Sequence, residues 1–166
     1  MELTDEAFSA DGYIIAQRET GGLPFGARSS RENGCGWIAA YNLLRASLHP
    51  VRWDQVRRDL SRRLAFQGKD GLHLFALISY LKEKGCRICC ASTLTGARLL
   101  ADSCQAGIIM YGTGNSSHYA AFIRQPDGRL RFLNAGTGRE DSTMTMREFY
   151  RDIVHFPLFF VLTVPA

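Results

Sequence analysis

The spacing of apolar residues changes near the middle of the chain. From residue 36 to residue 84, apolar positions recur every three or four residues, which is the period of amphipathic helices. This pattern predicts three helices, at Gly36–Ala46, Trp53–Phe66 and Leu72–Lys84. Beyond residue 84, short apolar runs are separated by turn residues, a pattern typical of strands.

The second half of the chain is predicted to form most of the sheet. The segment Gln125–Gly128 separates two apolar runs and predicts a hairpin turn. Helices first and strands afterwards predict an α+β fold, in which N-terminal helices pack on a C-terminal antiparallel sheet. The predicted strands are Arg87–Ser92, Ala106–Tyr111, His118–Arg124, Arg129–Asn134 and Leu158–Val164, and the predicted helices are Thr95–Ser103 and Met146–Ile153.

The length of 166 residues fits one domain, residues 1–166. Residues 1–32 show no clear period and are expected to wrap the surface as an N-terminal segment. The apolar share of 46% and the charged share of 22% are ordinary for a folded globular protein. No apolar run approaches the roughly 18 residues that a membrane span needs, so we expect no membrane span.

The arginine-rich stretch from Arg52 to Arg63 supplies much of the net charge of +4. Asp54 and Asp59 interrupt this stretch, which is typical of a solvated helix face. A nucleic-acid-binding protein would need a wider basic surface with aromatic residues that stack on bases. We therefore expect no nucleic-acid partner.

Cysteine usage and the N-terminal residues predict a cytoplasmic protein. Five cysteines, an odd number, argue for a reducing compartment. The first ten residues lack the basic-then-apolar pattern of a secretory signal. Cys86, Cys89 and Cys90 include a Cys-x-x-Cys spacing, but no second pair of ligands follows, so we expect buried thiols and no metal site. No glycine-rich loop precedes a suitable helix, and no cofactor is expected.

The candidate chemistry centres on Cys35, which the pattern places at the start of the first long helix. A thiol is a useful nucleophile only as the thiolate. The N-terminus of a helix presents free N–H groups and a partial positive charge, and both favour that form. Gly34 and Gly36 leave space beside the sulfur for a substrate. Taken alone, the motif fits a buried structural cysteine between turn glycines equally well.

His118 and Asn134 strengthen the interpretation of Cys35 as a nucleophile. His118 begins the first strand of the predicted hairpin, and Asn134 ends the second strand. The start of one hairpin strand lies beside the end of the other, so the two residues are expected to be neighbours. The amide oxygen of Asn134 would then accept a hydrogen bond from the ring and orient the imidazole toward Cys35. Taken singly, His118 would be an exposed loop residue and Asn134 a turn residue.

This pattern resembles papain-like cysteine peptidases, and among them the bacterial branch that processes bacteriocins at double-glycine leaders. The resemblance runs from Asn33 to Asn134 and rests on the order Cys, His, Asn. It implies a papain-like fold, a peptide or protein substrate, and hydrolysis of peptide or isopeptide bonds through a thioester acyl-enzyme. The matching features are Cys35-Gly36 opening a helix, Gly71-Leu72 before the helix with Leu74, Leu77 and Leu81, Gly85, the strand Ala106–Tyr111, His118-Tyr119 and Asn134.

The sequence departs from these families at two positions. Ser29 stands six residues before Cys35, where the families usually place a Gln that completes the oxyanion hole, and the nearest Gln before Cys35 is Gln17. Asn134 stands where the bacteriocin branch commonly has Asp. Ser29 and Asn33 are therefore candidate oxyanion donors, beside backbone N–H groups.

Gly36, Trp37 and Ser117 complete the candidate oxyanion and substrate-binding set. Ser117 lies in the small polar loop before His118. Trp37 either packs in the core one turn behind the nucleophile or forms a wall of the substrate cleft. Both interpretations of Trp37 stay open at the level of sequence.

Two alternatives to a thiol hydrolase also stay open. An acyltransferase or transpeptidase would use the same three residues and transfer the acyl group to an amine instead of water. A non-catalytic peptide-binding module on a peptidase-like scaffold would account for the absent Gln. The binding module predicts a Cys35 of ordinary reactivity.

Overall fold

The computed structural model describes residues 3–47, 49, 51–114, 116–136 and 141–165. Within these residues the chain forms six α-helices and eight strands. The helices are α1 (Ser30–Asn33), α2 (Cys35–Ala46), α3 (Trp53–Ser61), α4 (Leu74–Glu83), α5 (Leu94–Asp102) and α6 (Met146–Ile153). The strands are β1 (Pro24–Phe25), β2 (Arg28–Ser29), β3 (Cys89–Ala91), β4 (Cys104–Gly112), β5 (Ser117–Arg124), β6 (Leu130–Leu133), β7 (Asp141–Met144) and β8 (Phe156–Pro165).

The larger of the two sheets in the described residues has six strands in the order β3-β8-β4-β5-β6-β7. Every neighbouring pair in it is antiparallel. The predicted hairpin is present as β5 and β6, with Arg124 opposite Leu130 and Ala121 opposite Leu133. The predicted α+β class with an antiparallel sheet is therefore confirmed.

Helices cover both faces of this sheet. Because side chains alternate along each strand, neighbouring residues of one strand belong to different cores. On β4, Ile108 belongs to a core shared with α2, α3 and α4. Its neighbour Ile109 belongs to a second core, shared with α5 and α6. The sequence pattern predicted the first of these layers, whereas the second layer comes from the two later helices folding back over the sheet.

Helix α3 is shorter than its predicted range. It ends at Ser61, so the predicted continuation to Phe66 is wrong. Phe66 and Gln67 have positive φ angles of 49° and 57°, which no α-helix contains. The chain turns there instead, and the Phe66 side chain is 82% exposed.

The N-terminal segment has more regular structure than its sequence suggested. Its described part contains the β1–β2 hairpin and helix α1. Asn42, buried on α2, accepts from the Ile14 N–H at 2.9 Å and donates to the Ile14 carbonyl at 2.8 Å. The Tyr41 hydroxyl donates to the Gly12 carbonyl at 3.0 Å. These contacts hold the segment against the helix that begins at Cys35.

Strand β7 was absent from the prediction because it is polar, and only its last residue, Met144, is buried. The expectation of buried thiols holds for Cys86 but is wrong for Cys89 and Cys90. Those two cysteines lie on β3, a short strand at the edge of the sheet, where their side chains stay exposed.

None of the helices in the described residues is long and apolar enough to span a membrane.

Candidate active site

Cys35 is the first residue of α2 and lines a cavity of about 610 Å³. Its side chain is half-buried. The cavity lies between the start of α2, the loop before α4 and the start of β5. The described residues that line it are Arg28, Glu32, Asn33, Cys35, Lys69, Asp70, Gly71, Leu72, Ser116, Ser117, His118 and Tyr119. Four of these side chains are charged, two of each sign, so the cavity is polar at its rim.

His118 is the second residue of β5, directly opposite Tyr111 of β4. Its Nε2 lies 2.7 Å from the backbone oxygen of Asn134. Because a carbonyl can only accept, this contact places the ring proton on Nε2 and leaves Nδ1 for the thiol. The Tyr111 ring packs edge-on against the imidazole with centroids 5.7 Å apart.

Cys35 and His118 both line the cavity, and each side chain shifts the pKa of the other. Burial raises the pKa of the Cys35 thiol, but the hydrogen bond and charge of His118, with the backbone N–H groups of Tyr119 and Gly36, lower that pKa below its ordinary value. Burial lowers the pKa of His118, whereas the hydrogen bond and charge of Cys35 and the Asn134 carbonyl raise it overall. Both shifts favour a thiolate beside an imidazolium.

Asn134 lies beside His118 as predicted, but a different group makes the contact. The predicted hydrogen bond from the ring to the side-chain amide is absent, and the backbone carbonyl takes its place. Asn134 has a φ of 57°, and this turn of the backbone aims its carbonyl at the imidazole. The side-chain amide pairs with Gln17 instead.

Two of the five candidate oxyanion and substrate-binding residues lie away from the cavity. The Ser29 hydroxyl donates to Glu32 at 3.0 Å and closes the N-terminal cap of α1. Ser29 is not among the described residues that line the cavity. Trp37 is fully buried, and its Nε1 donates to the Ser30 hydroxyl at 3.1 Å. Trp37 therefore packs in the core, and the interpretation of Trp37 as a cleft wall is excluded.

Asn33, Gly36 and Ser117 lie next to the reactive pair. Asn33 and Ser117 line the cavity, and the Asn33 amide donates to the Gly68 carbonyl at 2.6 Å. Gly36 packs on Leu72 so closely that an added Cβ would lie 2.8 Å from the Leu72 Cβ. A glycine at this position lets the first turn of α2 approach the cavity wall.

Sequence reasoning missed two tyrosines that support the site. The buried Tyr111 hydroxyl donates to the carbonyl of Ala135, next to Asn134. The Tyr119 hydroxyl donates to the Leu72 carbonyl at 3.1 Å and ties β5 to the loop before α4. Burial and the nearby Cys35 charge raise the pKa of both hydroxyls, so both stay protonated. Their only signal in the sequence was their position in apolar strands, where an aromatic residue usually belongs to the core.

The described residues contain no group of three or more His, Cys, Asp or Glu side chains that could hold a metal ion.

Two solved structures share this architecture. The peptidase domain of Streptococcus ComA, a bifunctional ABC transporter involved in a quorum-sensing pathway, aligns over 81% of this chain and 93% of its own, with a TM-score of 0.59 and 13% identity. A double-glycine-motif protease from an AMS/PCAT transporter, solved in complex with the leader peptide, aligns over 80% of this chain and 84% of its own, with a TM-score of 0.54 and 17% identity. The protein therefore has the papain-like fold of these peptidase domains.

No model of a protein family matches the sequence, and no curated protein matches it.

Proposed function

We propose that this protein is a thiol hydrolase that cleaves peptide or isopeptide bonds, with Cys35 as nucleophile and His118 as base. One observation carries the proposal: on a papain-like fold, Cys35 and His118 line the same cavity, and the pKa values of both are shifted toward the thiolate–imidazolium pair. A structural cysteine would have its pKa raised by burial, as that of Cys104 is, to about 11.

The proposed reaction has two steps. The Cys35 thiolate attacks the carbonyl carbon of the substrate, and the leaving amine takes the proton from Nδ1 of His118, which leaves a thioester. His118 then accepts a proton from water, the resulting hydroxide attacks the thioester, and the acid product leaves as the thiol re-forms. The backbone N–H of Cys35, at the positive end of α2, stabilises the oxyanion in both steps.

A peptide substrate fits the surroundings of the pair. The cavity is open and polar, and Gly71 and Ser117 on its walls leave room for an extended backbone. The AMS/PCAT protease of the same fold was solved with a leader peptide, which supports a peptide as the ligand. All five cysteines are free, which fits the reducing cytoplasm that the proposal assigns to the protein.

Cleavage of a peptide library by the full chain, followed by mass spectrometry, tests the proposal. Replacing Cys35 with Ala should lower the cleavage rate by about 10⁴-fold, because the nucleophile is lost. Cys89→Ala is the matched control, since this thiol is exposed on β3 and should leave cleavage unchanged. Wild-type cleavage rates in Cys35→Ala would overturn the proposal.

The pKa shifts predict how the reaction depends on pH. The thiolate exists above the lowered pKa of Cys35, and the imidazolium exists below the raised pKa of His118. The ion pair is therefore populated between the two pKa values, and cleavage should follow a bell-shaped curve. Alkylation of Cys35 should persist well below pH ~8.5, the ordinary pKa of a thiol. A Cys35 that titrates at its ordinary value would point to the non-catalytic binding module instead.

A further inference from the structure

The side chain of Asn134 is held by a reciprocal pair of hydrogen bonds. Its Oδ1 accepts from the backbone N–H of Gln17 at 3.1 Å, and its Nδ2 donates to Oε1 of Gln17 at 3.2 Å. Asn134 is 3% exposed, so these bonds form out of bulk water. The side chain is fully engaged with Gln17 while the backbone carbonyl of the same residue faces His118.

Gln17 also reaches the cysteine side of the site. Its Nε2 donates to the carbonyl of Arg31, four residues before Cys35, at 3.0 Å. The buried Thr20 hydroxyl donates to the Gln17 carbonyl at 2.6 Å and closes the short turn Gln17–Thr20. Gln17 therefore joins three segments: its own turn, helix α1 and the turn after β6.

We propose that Gln17 is a positioning residue that fixes the Asn134 carbonyl on Nε2 of His118 and so keeps Nδ1 of the ring aimed at Cys35. The role rests on the proposed function. The left-handed backbone at Asn134, a conformation that Asn adopts more readily than most residues with a side chain, sets the direction of the carbonyl. The bonds from Gln17 fix the side chain of this turn and so hold the carbonyl in that direction. A backbone carbonyl thus contacts the ring, and the side-chain amide of the same residue holds that carbonyl in place.

The charge state of His118 is a suitable readout because few titratable groups face it. Cys35 from α2 and Tyr111 from β4 lie beside it, and Tyr119 from β5 lies near Cys35 with a pKa that burial also raises, so Tyr119 stays neutral. The pKa of Tyr111 is raised by burial, so Tyr111 stays neutral across the range of the assay. A change in the pH profile of Cys35 therefore reports on the geometry of the Cys35–His118 pair.

The test measures the rate of Cys35 alkylation by iodoacetamide against pH, in full chains carrying Cys89→Ser and Cys90→Ser to remove the exposed thiols. Gln17→Met keeps the side-chain length and removes both of its side-chain bonds. The lowered pKa of Cys35 should rise when His118 is less well oriented, so alkylation at pH 6 should fall by about fivefold to tenfold, the equivalent of one hydrogen bond. Near pH 10 Cys35 is fully ionised in both proteins. The alkylation rate of Gln17→Met should therefore equal that of the parent chain, which keeps Gln17.

Thr20→Val is the matched control. It removes a hydrogen bond from the same buried turn and leaves the contacts between Gln17 and Asn134 in place. It should lower the melting temperature without moving the pH profile. If Gln17→Met fails to fold, the pH profile of Cys35 alkylation is measured in Asn134→Gly instead. This variant keeps the positive φ and the carbonyl and removes only the side-chain amide, so its profile should shift in the same direction.

The outcomes separate the two proposals. A Gln17→Met profile that coincides with that of wild type overturns the role of Gln17 and leaves the proposed function standing. A shift of equal size in Thr20→Val also overturns it, because the turn as a whole would then be responsible. Loss of folding in both Gln17→Met and Asn134→Gly overturns it as well. An ordinary Cys35 pKa in the parent chain would instead overturn the proposed function.

Discussion

The imidazole of His118 is held by groups from two separate parts of the chain, strand β4 and the turn after β6. Tyr111 packs on it from β4, the Asn134 carbonyl binds Nε2, and Gly136 lies against the ring. A Cβ added at Gly136 would lie 3.2 Å from Nε2, and Gly136 has a φ of 71°. A methyl group at this position would therefore press on the imidazole, and the positive φ favours glycine as well.

Gly136→Ala should impair the site more than the fold. The strained φ should cost about 1 kcal/mol of unfolding free energy, measured by urea denaturation, and the new methyl group should displace the imidazole. Gly128→Ala is a matched control, because Gly128 has a φ of 82° with nothing within 4 Å of the added Cβ. It should lose the same stability and keep the pH profile of Cys35. Equal profiles in the two variants would contradict the contact between Gly136 and the ring.

At the scale of elements, the loop before α4 forms one wall of the cavity and is tied to β5. The Tyr119 hydroxyl donates to the Leu72 carbonyl, and Gly36 packs on the Leu72 side chain. The strand that carries His118, the helix that carries Cys35 and the wall between them therefore meet at Leu72. Any change that moves Leu72 should alter the width of the cavity.

The contribution of the Tyr119–Leu72 hydrogen bond to stability can be measured by comparing two buried tyrosines. Tyr119→Phe removes the bond to Leu72 and should lower the unfolding free energy by about 1 kcal/mol. Tyr80→Phe on α4 removes a buried hydroxyl that has no hydrogen-bond partner among the described residues. That variant should be neutral or slightly more stable, because it removes an unsatisfied polar group. Urea denaturation of both variants is the measurement, and equal losses of stability would contradict the assignment.

At the scale of the whole molecule, the site depends on the N-terminal segment. The segment is anchored to α2 through Asn42 and Ile14, and it delivers Gln17 to the turn after β6. Arg131 on β6 adds an ion pair with Asp11 at 2.6 Å. The segment thus joins the helical half of the chain to the sheet.

Asn42→Ala should therefore destabilise the protein strongly. It leaves the N–H and carbonyl of Ile14 buried without partners, which should cost about 2–3 kcal/mol. Urea denaturation measures the loss, and limited proteolysis should show faster cleavage before α1. Gln55→Ala, which removes an exposed hydrogen bond to Asp59 on α3, should stay within about 0.5 kcal/mol of wild type. A similarly small effect of Asn42→Ala would show that the segment is not anchored through this contact.

The elements that the sequence predicted well are those with strong apolar periodicity. Helix α2 starts one residue before its predicted start, α6 matches its prediction, and the hairpin of β5 and β6 is present. Strand β7 and the end of α3 were missed because their formation depends on neighbours: β7 is a polar strand that pairs with β6, and α3 ends where Phe66 and Gln67 turn the chain.

The sequence by itself determined the fold class and the residues on which the proposed chemistry rests. Periodicity places Cys35 at a helix start, and a hairpin places His118 near Asn134, since both features depend on residues close together in the chain. Only the tertiary structure decided which atoms meet. The backbone of Asn134 turns its carbonyl to the ring, and Gln17, 117 residues away, takes the amide. Contacts over such separations depend on how the two halves pack, and packing leaves no periodic signal in the sequence.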